Sequence, residues 1–191
     1  IIGSTQTRCV YVGSNSVLSG FTLTNGQAVY NGDYITEMSG GGVWCELGGV
    51  VTNCILSGNS GRGACFGTLN NCTLVGNSAS EAGGGAYCAI LNNCTLTGNS
   101  ANSGGGAYLG TLNNCILYYN TALSGSGPNY YSGTLNYCCT TPLPAGPDNL
   151  TNAPLFVDTN DWSNLRLESL ALGPPVTVQF FSSSNRLYTL L

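Results

Sequence analysis

The charged side chains are few, and one set of them has a spacing that could perform acid–base chemistry. The 191-residue chain carries eight acidic residues, four arginines and no histidine. Glu37 and Glu81 each precede a Gly triplet, and in a stacked repeat they would lie two coils, or about 10 Å, apart, near the span of an inverting glycosidase pair. Arg62 falls on the coil between them. An exposed acid–base–acid ladder is the simpler interpretation, so we predict no catalytic residues.

The ten cysteines could form disulfides, ligate a metal or pack as free thiols. Five recur 18, 22, 21 and 23 residues apart: Cys54, Cys72, Cys94, Cys115 and Cys138. Neighbours in such a column point in the same direction, which favours packed thiols, and cross-core pairs such as Cys45 with Cys54, or Cys88 with Cys94, are the rival interpretation. Without CxxC spacing or histidine we predict no metal site and no cofactor. Cys65 aligns with outward aromatic positions and is a candidate reactive or bridging thiol.

Aromatic side chains are candidates for binding. One position of the repeat carries Trp44, Tyr87 and Tyr108, and a nearby cluster contains Tyr118, Tyr119, Tyr130 and Tyr131. Such a strip could bind a polysaccharide or a host or cell-surface ligand, or support self-association, because an uncharged, Tyr-rich face suits each of these. Outward aromatic residues of a sheet also pack on each other for stability alone.

Charge and hydropathy narrow the possible partners. The net charge is −4 and the arginines are scattered, so we predict no nucleic-acid binding. No apolar run approaches the ~18 residues that a transmembrane helix needs, so we predict no membrane span. The opening "IIGSTQTRCV" lacks the regions of a signal peptide, and we interpret the chain as a mature or excised fragment.

A repeated segment must position all of these side chains. The segments "VTNCILSGN" (51–59), "LNNCTLVGN" (69–77), "LNNCTLTGN" (91–99) and "LNNCILYYN" (112–120) share one template, and phrases such as "GGGAYC" (83–88) lie between them. Gly triplets and β-branched residues without a 3.6-residue period exclude helices. The odd step from Leu69 to Cys72 indicates a bend at Asn71, because asparagine tolerates the left-handed conformation.

The sequence therefore predicts an all-β fold, a right-handed parallel β-helix with coils of about 21 residues. In it, equivalent residues stack as columns about 4.8 Å apart. Two aliphatic columns are expected to flank a column of Phe21 and the repeated cysteines. Amide ladders are expected from Asn53, Asn71, Asn93 and Asn114 and from Asn59, Asn77, Asn99 and Asn120. We expect regular coils over 1–140, an irregular last coil or cap over 141–173, and a terminal hairpin or the start of another module over 174–191.

The alternation of "CTLTGNSA" with "GGGAY" resembles the polymorphic outer-membrane-protein repeat of bacterial surface proteins, with Leu-x-x-Asn in place of Phe-x-x-Asn. The stretch "PLFVD…NLRLESLALG" looks like the closing segment of secreted bacterial β-helix proteins. The resemblance covers roughly residues 8–173 and implies an extracellular or cell-surface location in bacteria. We therefore expect a non-enzymatic spacer, adhesin or self-assembling fibre subunit; the alternative is a carbohydrate-binding or carbohydrate-degrading β-helix protein.

Overall fold

The chain forms a parallel β-solenoid with stacked coils about 22 residues apart. The computed structural model describes residues 1–28 and 39–154, together with the backbone of three further strands within residues 166–190. Among the described residues no helix is long and apolar enough to cross a membrane. The prediction of an all-β parallel solenoid is confirmed.

Each coil contributes short strands joined by sharp bends. The first coil contains β1 (Val10–Val12), β2 (Val17–Ser19) and β3 (Thr22–Thr24), and the second contains β4 (Val43–Cys45), β5 (Val50–Thr52) and β6 (Ile55–Ser57). The third contains β7 (Ala64–Cys65), β8 (Thr68–Asn70) and β9 (Thr73–Val75), and the fourth contains β10 (Ala86–Tyr87), β11 (Ile90–Asn92), β12 (Thr95–Thr97) and β13 (Ser100–Ser103). Then follow β14 (Ala107–Asn113), β15 (Ile116–Tyr118), β16 (Thr121–Ser126), β17 (Tyr130–Asn136) and β18 (Cys139–Thr140).

Strands of successive coils pair in parallel and build three faces. Face 1 contains β1, β4, β7, β10 and the first residues of β14 and β17. Face 2 contains β2, β5, β8, β11 and the last residues of β14 and β17. Face 3 contains β3, β6, β9, β12, β15 and β18, and β13 pairs with β16 beside it. Because the pairing is residue for residue, equivalent positions of the repeat lie above one another.

Two aliphatic columns fill the core, as the repeat predicts. On face 2 the column is Leu18, Val51, Leu69, Leu91, Leu112 and Leu135; on face 3 it is Leu23, Leu56, Leu74, Leu96 and Leu117. All of them except Leu18 are buried, and each buried leucine contributes ~1.5–3 kcal/mol. Phe21 stands at the place of Cys54 in the column, because the adjacent Thr22 pairs with Ile55 and the Phe21 N–H donates to the Cys54 sulfur at 3.4 Å; on the first coil its side chain is 46% exposed.

Two kinds of bend turn the chain between faces. Asn53, Asn71, Asn93 and Asn114 have φ between 52° and 55°, the left-handed conformation predicted for them. At the corner after face 3 the left-handed residue is instead the glycine before the second asparagine, as at Gly98 with φ 64°. That glycine makes the turn, and Asn99, which follows it, is buried.

A second compact unit comprises Leu155–Leu191, separate from Ile1–Pro154. Its described strands are β19 (Arg166–Ala171), β20 (Thr177–Phe181) and β21 (Leu187–Leu190). They form an antiparallel sheet in the order β19, β20, β21. The predicted division into segments 1–140, 141–173 and 174–191 stays a prediction.

Candidate functional site

Six aromatic rings from successive coils form a continuous stack along the outside of face 1. The register places Tyr11, Trp44, Tyr87, Tyr108 and Tyr131 at one position of their strands. Ring centroids lie 5.2 Å apart for Tyr11 and Trp44, 5.5 Å for Tyr87 and Tyr108, and 5.4 Å for Tyr108 and Tyr131, with interplanar angles of 9°, 2° and 7°. These five rings and Phe66 are termed the aromatic stack.

The third coil has no aromatic residue at this position of the repeat, and the ring of the next residue fills the gap. Cys65 stands where the other coils carry an aromatic residue. Phe66, one position later, places its ring between Trp44 and Tyr87 and meets both edge-on, at 5.9 and 6.1 Å. The stack is therefore continuous, but the plane of the Phe66 ring is nearly perpendicular to the planes of the two rings beside it.

Most ring faces are used within the stack itself. In each parallel pair the two rings cover one another's faces, so solvent meets mainly their edges. The end rings are the most open, with Tyr11 55% and Tyr131 44% exposed. Each aromatic pair contributes ~0.5–1.5 kcal/mol beyond the area that it buries. The geometry thus serves coil-to-coil stability better than it serves sugar stacking, which needs open ring faces.

Four of the seven predicted strip residues lie together in the stack: Trp44, Tyr87, Tyr108 and Tyr131. Tyr130 is not among them, because it is in register with the buried Ala107, and its hydroxyl donates to the Pro142 carbonyl at 3.2 Å. Tyr118 is buried on face 3 and its hydroxyl donates to the Thr151 carbonyl. Tyr119, 60% exposed, packs edge-on against Tyr118 at 5.7 Å.

One carboxylate is fixed beside the first rings of the stack. Glu46 follows β4 directly, and it accepts hydrogen bonds from the Ser14 backbone N–H at 2.7 Å, the Ser14 hydroxyl and the Tyr11 hydroxyl. These bonds, the Ser14 hydroxyl first, hold the pKa of Glu46 at about 2. The hydrogen bond to Glu46 raises the pKa of Tyr11 in turn. Glu46 is therefore ionised throughout the ordinary pH range.

A cavity of about 420 Å³ opens beside this carboxylate. Its lining consists of Ser14, Trp44, Cys45, Glu46, Leu47 and Phe66. Leu47 is 85% exposed and stands at the rim. This space is termed the Glu46 cavity, and its walls are aromatic or aliphatic apart from Ser14, Cys45 and the carboxylate.

The predicted acid–base–acid ladder differs from the structure at its central residue. Arg62 was expected to be exposed, but it is only 3% exposed. Its guanidinium lies 4.3 Å from the Tyr87 ring centroid, Nε donates to the Ala82 carbonyl at 2.9 Å, and Nη1 donates to the Ser39 hydroxyl. The predicted exposure of Arg62 is wrong, because the aromatic ring and the carbonyl draw the side chain against the solenoid. Glu81 is exposed, and Glu37 lies outside the described residues.

All ten cysteines are free thiols, and the five column cysteines are buried. The Cys94 sulfur lies 3.5 Å from the Leu69 carbonyl and 3.3 Å from the Asn92 carbonyl. Among the described residues no group of three or more histidine, cysteine or acidic side chains could hold a metal ion. Cys65 aligns with the outward aromatic positions as predicted, but it is fully buried and burial raises its pKa to about 12, so the predicted reactive or bridging thiol is wrong.

The second set of predicted asparagines forms a buried ladder, termed the inner ladder. Asn77 Nδ2 donates to Asn99 Oδ1 at 3.0 Å and to the Leu56 carbonyl of the previous coil at 2.9 Å. Asn59 and Asn99 repeat both contacts one coil before and after. The ladder ends on Asn129, whose Oδ1 accepts from Asn120. Sequence reasoning missed Asn129, because it follows Asn120 by 9 residues and is out of phase with the repeat.

The third glycine of each triplet is required by the inner ladder. A Cβ on Gly85 would lie 3.1 Å from Asn99 Nδ2 and 2.5 Å from the Gly106 carbonyl oxygen. Gly63 is equally close to Asn77 and to the carbonyl of the next coil. The Gly triplets and the inner-ladder asparagines, which the sequence presents as separate motifs, therefore pack against one another.

Two outer ladders run along the corner between faces 2 and 3. In the predicted one, Asn93 donates to Asn71 at 3.2 Å and Asn114 donates to Asn93 at 2.7 Å, while no such bond extends to Asn53. A second ladder, which sequence reasoning missed, joins Asn70, Asn92, Asn113 and Asn136 at 2.9–3.1 Å. The signal was the doubled asparagine of "LNNC".

A second cavity, of about 360 Å³, lies where the outer ladder stops at Tyr137. It is termed the corner cavity. Its polar lining includes Asn93, Thr95, Asn114 and Tyr137, and its apolar lining includes Ile116 and Leu150. Amide and hydroxyl groups at the edge of a small apolar surface can hydrogen-bond a ligand that carries hydroxyl groups.

Comparisons of the chain with family models, with curated proteins and with solved structures found no match.

Proposed function

We propose that this chain is a non-enzymatic structural module of an extracellular or cell-surface protein, in which the solenoid acts as a spacer or adhesin arm. The observation that supports the proposal most is the inner ladder, which runs without a break from Asn59 to Asn129. The proposal includes a bacterial, secreted origin, which rests on the resemblance of "CTLTGNSA" and "GGGAY" to polymorphic outer-membrane-protein repeats.

The ladders tie each coil to the next in a way that suits a spacer. Each inner-ladder amide from Asn59 to Asn120 donates to a carbonyl of the previous coil and to the next amide of the ladder, so the coils are linked in series. The aromatic stack adds a second chain of contacts along the outside of face 1. A force along the solenoid axis must break the strand pairing, the side-chain amide hydrogen bonds and the ring contacts of one coil together. We therefore expect such a module to keep its length under load.

Self-association through coil ends is part of the proposal, and the first coil offers the edge for it. β2 is the last strand of its sheet, and Val17 on it is 67% exposed. The edge of β3 is already occupied, since Gly3 donates to Thr24 and Thr24 donates to Ile1. An unpaired, uncharged strand edge accepts a strand from another chain, and lysine, which natural edge strands use to prevent this, is absent from the sequence.

Single-molecule force spectroscopy on the whole chain tests the structural role. The proposal predicts that the solenoid resists force and then lengthens in steps of about one coil. Smooth extension at low force, or release of sugar products from a polysaccharide panel by the purified chain, would contradict it. Electron microscopy tests the association: filaments that are lost in Val17→Lys support joining through β2, and filaments that persist in that variant overturn it.

A second candidate function is carbohydrate binding, and the corner cavity favours it. The Asn114 amide there donates to Asn93, which leaves the Asn114 carbonyl oxygen directed toward the end of the ladder as an acceptor. The cavity is the better site for a sugar than the aromatic stack, whose ring faces are mostly covered. Glycan-array binding that Asn114→Ala abolishes and Tyr131→Ala leaves intact would support this function. No affinity for any glycan would leave the structural role alone.

A further inference from the structure

The Glu46 carboxylate is charged, but its oxygen atoms already accept most of the hydrogen bonds that they can accept. A carboxylate has about four acceptor sites, and three hydrogen bonds from Ser14 and Tyr11 occupy most of them. A primary ammonium ion loses water molecules from its hydration shell on binding and needs several hydrogen-bond acceptors in their place. The Glu46 carboxylate no longer offers that many. A cation without N–H donors needs only a negative potential and apolar contact.

The walls of the Glu46 cavity supply both requirements. Trp44 and Phe66 meet at an interplanar angle of 80° and form two aromatic walls, and Leu47 adds an aliphatic one. Tyr11 covers one face of Trp44, so a cation would meet the ring surface that Trp44 and Phe66 leave toward the cavity. Aromatic rings attract cations, and quaternary ammonium groups are bound against such rings. Glu46 is the charged residue in the lining of the cavity, so its carboxylate supplies a negative potential there.

We propose that the Glu46 cavity binds a quaternary ammonium group of a soluble small molecule, with the methyl groups against Trp44, Phe66 and Leu47 and the charge beside Glu46. The net charge of −4 favours a cationic ligand further. A sugar fits less well, because the walls offer few free donors and acceptors. This site is independent of the proposed structural function.

Titration of the full chain with choline chloride, followed by NMR on the Trp44 indole N–H, tests the site. The probe's neutral isostere is 3,3-dimethylbutan-1-ol, which has the same shape without the charge. The expected result is saturable binding of choline and at least about tenfold weaker binding of the isostere, the effect of one charge pair near a protein surface. Equal binding of the two compounds, or no saturable shift with choline, would overturn the proposal.

Three variants assign the site. Glu46→Gln should weaken choline binding by about tenfold, and Phe66→Leu should weaken it by about threefold or more, because one aromatic wall becomes aliphatic. Leucine is matched to this position, since Leu109 occupies the equivalent bend with nearly the same φ, 54° against 59°. The control is Glu81→Gln, which removes an exposed carboxylate outside the lining of the cavity and should change affinity by less than about twofold. Equal losses in the Glu46 and Glu81 variants would refute the site, and if Glu46→Gln fails to fold, the isostere comparison decides.

Discussion

Replacement of Asn99 by alanine should destabilise the solenoid by about 2–6 kcal/mol. The side chain lies in the middle of the inner ladder and is 1% exposed. Its Oδ1 accepts from the backbone N–H and from Nδ2 of Asn77, at 2.9 and 3.0 Å. Its Nδ2 donates to the Leu74 carbonyl at 2.9 Å and to Asn120 Oδ1 at 3.0 Å.

The magnitude follows from the groups that alanine leaves without a partner. The backbone N–H and one Nδ2 N–H of Asn77 lose their acceptor in the core, and each costs ~1–3 kcal/mol. The Leu74 carbonyl belongs to β9, which pairs with β12, so it keeps a strand partner and is not counted. Asn120 Oδ1 still accepts from the backbone N–H of residue 99 at 3.0 Å, so it is not counted. A water molecule that enters the vacated space would place the result at the lower end of the range.

Urea unfolding followed by far-ultraviolet circular dichroism measures the change. The matched control is Asn93→Gly, which removes an exposed ladder amide at φ 55°, where glycine fits without strain. Its effect should stay within about 0.5 kcal/mol. A loss below about 1 kcal/mol for Asn99→Ala, or an equal loss for both variants, would refute the claim that burial makes the inner ladder essential.

Three further predictions concern a glycine, the thiols and the carboxylate. Gly85→Ala should destabilise by about 2–4 kcal/mol because its Cβ meets a carbonyl oxygen at 2.5 Å, whereas Gly13→Ala, with no atom closer than 3.8 Å, should be nearly neutral in the same urea assay. Iodoacetamide at neutral pH should label only the partly exposed thiols in the folded chain, and mass spectrometry should find Cys9, Cys88 and Cys139; early labelling of buried thiols would count against the packing. Ser14→Ala should raise the pKa of Glu46 from about 2 toward its ordinary 4.5, as a ¹³C NMR titration would measure. In the parent chain the stabilisation from Glu46 is fully present above pH 4.5 and is lost as the pH falls toward 2. An unchanged pKa of Glu46 in the Ser14→Ala variant would refute the assigned hydrogen bonds.

The fold could be predicted because the repeated segments carry the same type of residue at each equivalent position several times. Leu69, Leu91 and Leu112 stand at the same place in nearly identical segments, and a parallel solenoid stacks such places directly. The bend at Asn71 followed from the odd spacing between Leu69 and Cys72. These features depend on local chemistry that recurs in each coil.

The candidate sites were harder to predict because they lie where the repeat is broken. Phe66 replaces the missing ring at Cys65 from a different position, and Asn129 completes the inner ladder out of phase. Glu46 meets Ser14 across 32 residues of sequence, with no second copy of the pair to reveal it. Single departures from a repeat carry no periodic signal, and only the folded coils show what they contact.

The most direct test of the account is the stacking of equivalent leucines, measured as nuclear Overhauser contacts between methyl groups in a ¹³C-labelled chain. The account predicts that Leu91 contacts both Leu69 and Leu112, its register partners on either side, while Leu69 and Leu112 show no contact with each other. A direct contact between Leu69 and Leu112, or the absence of either Leu91 contact, would contradict the stacked coils on which both proposals depend.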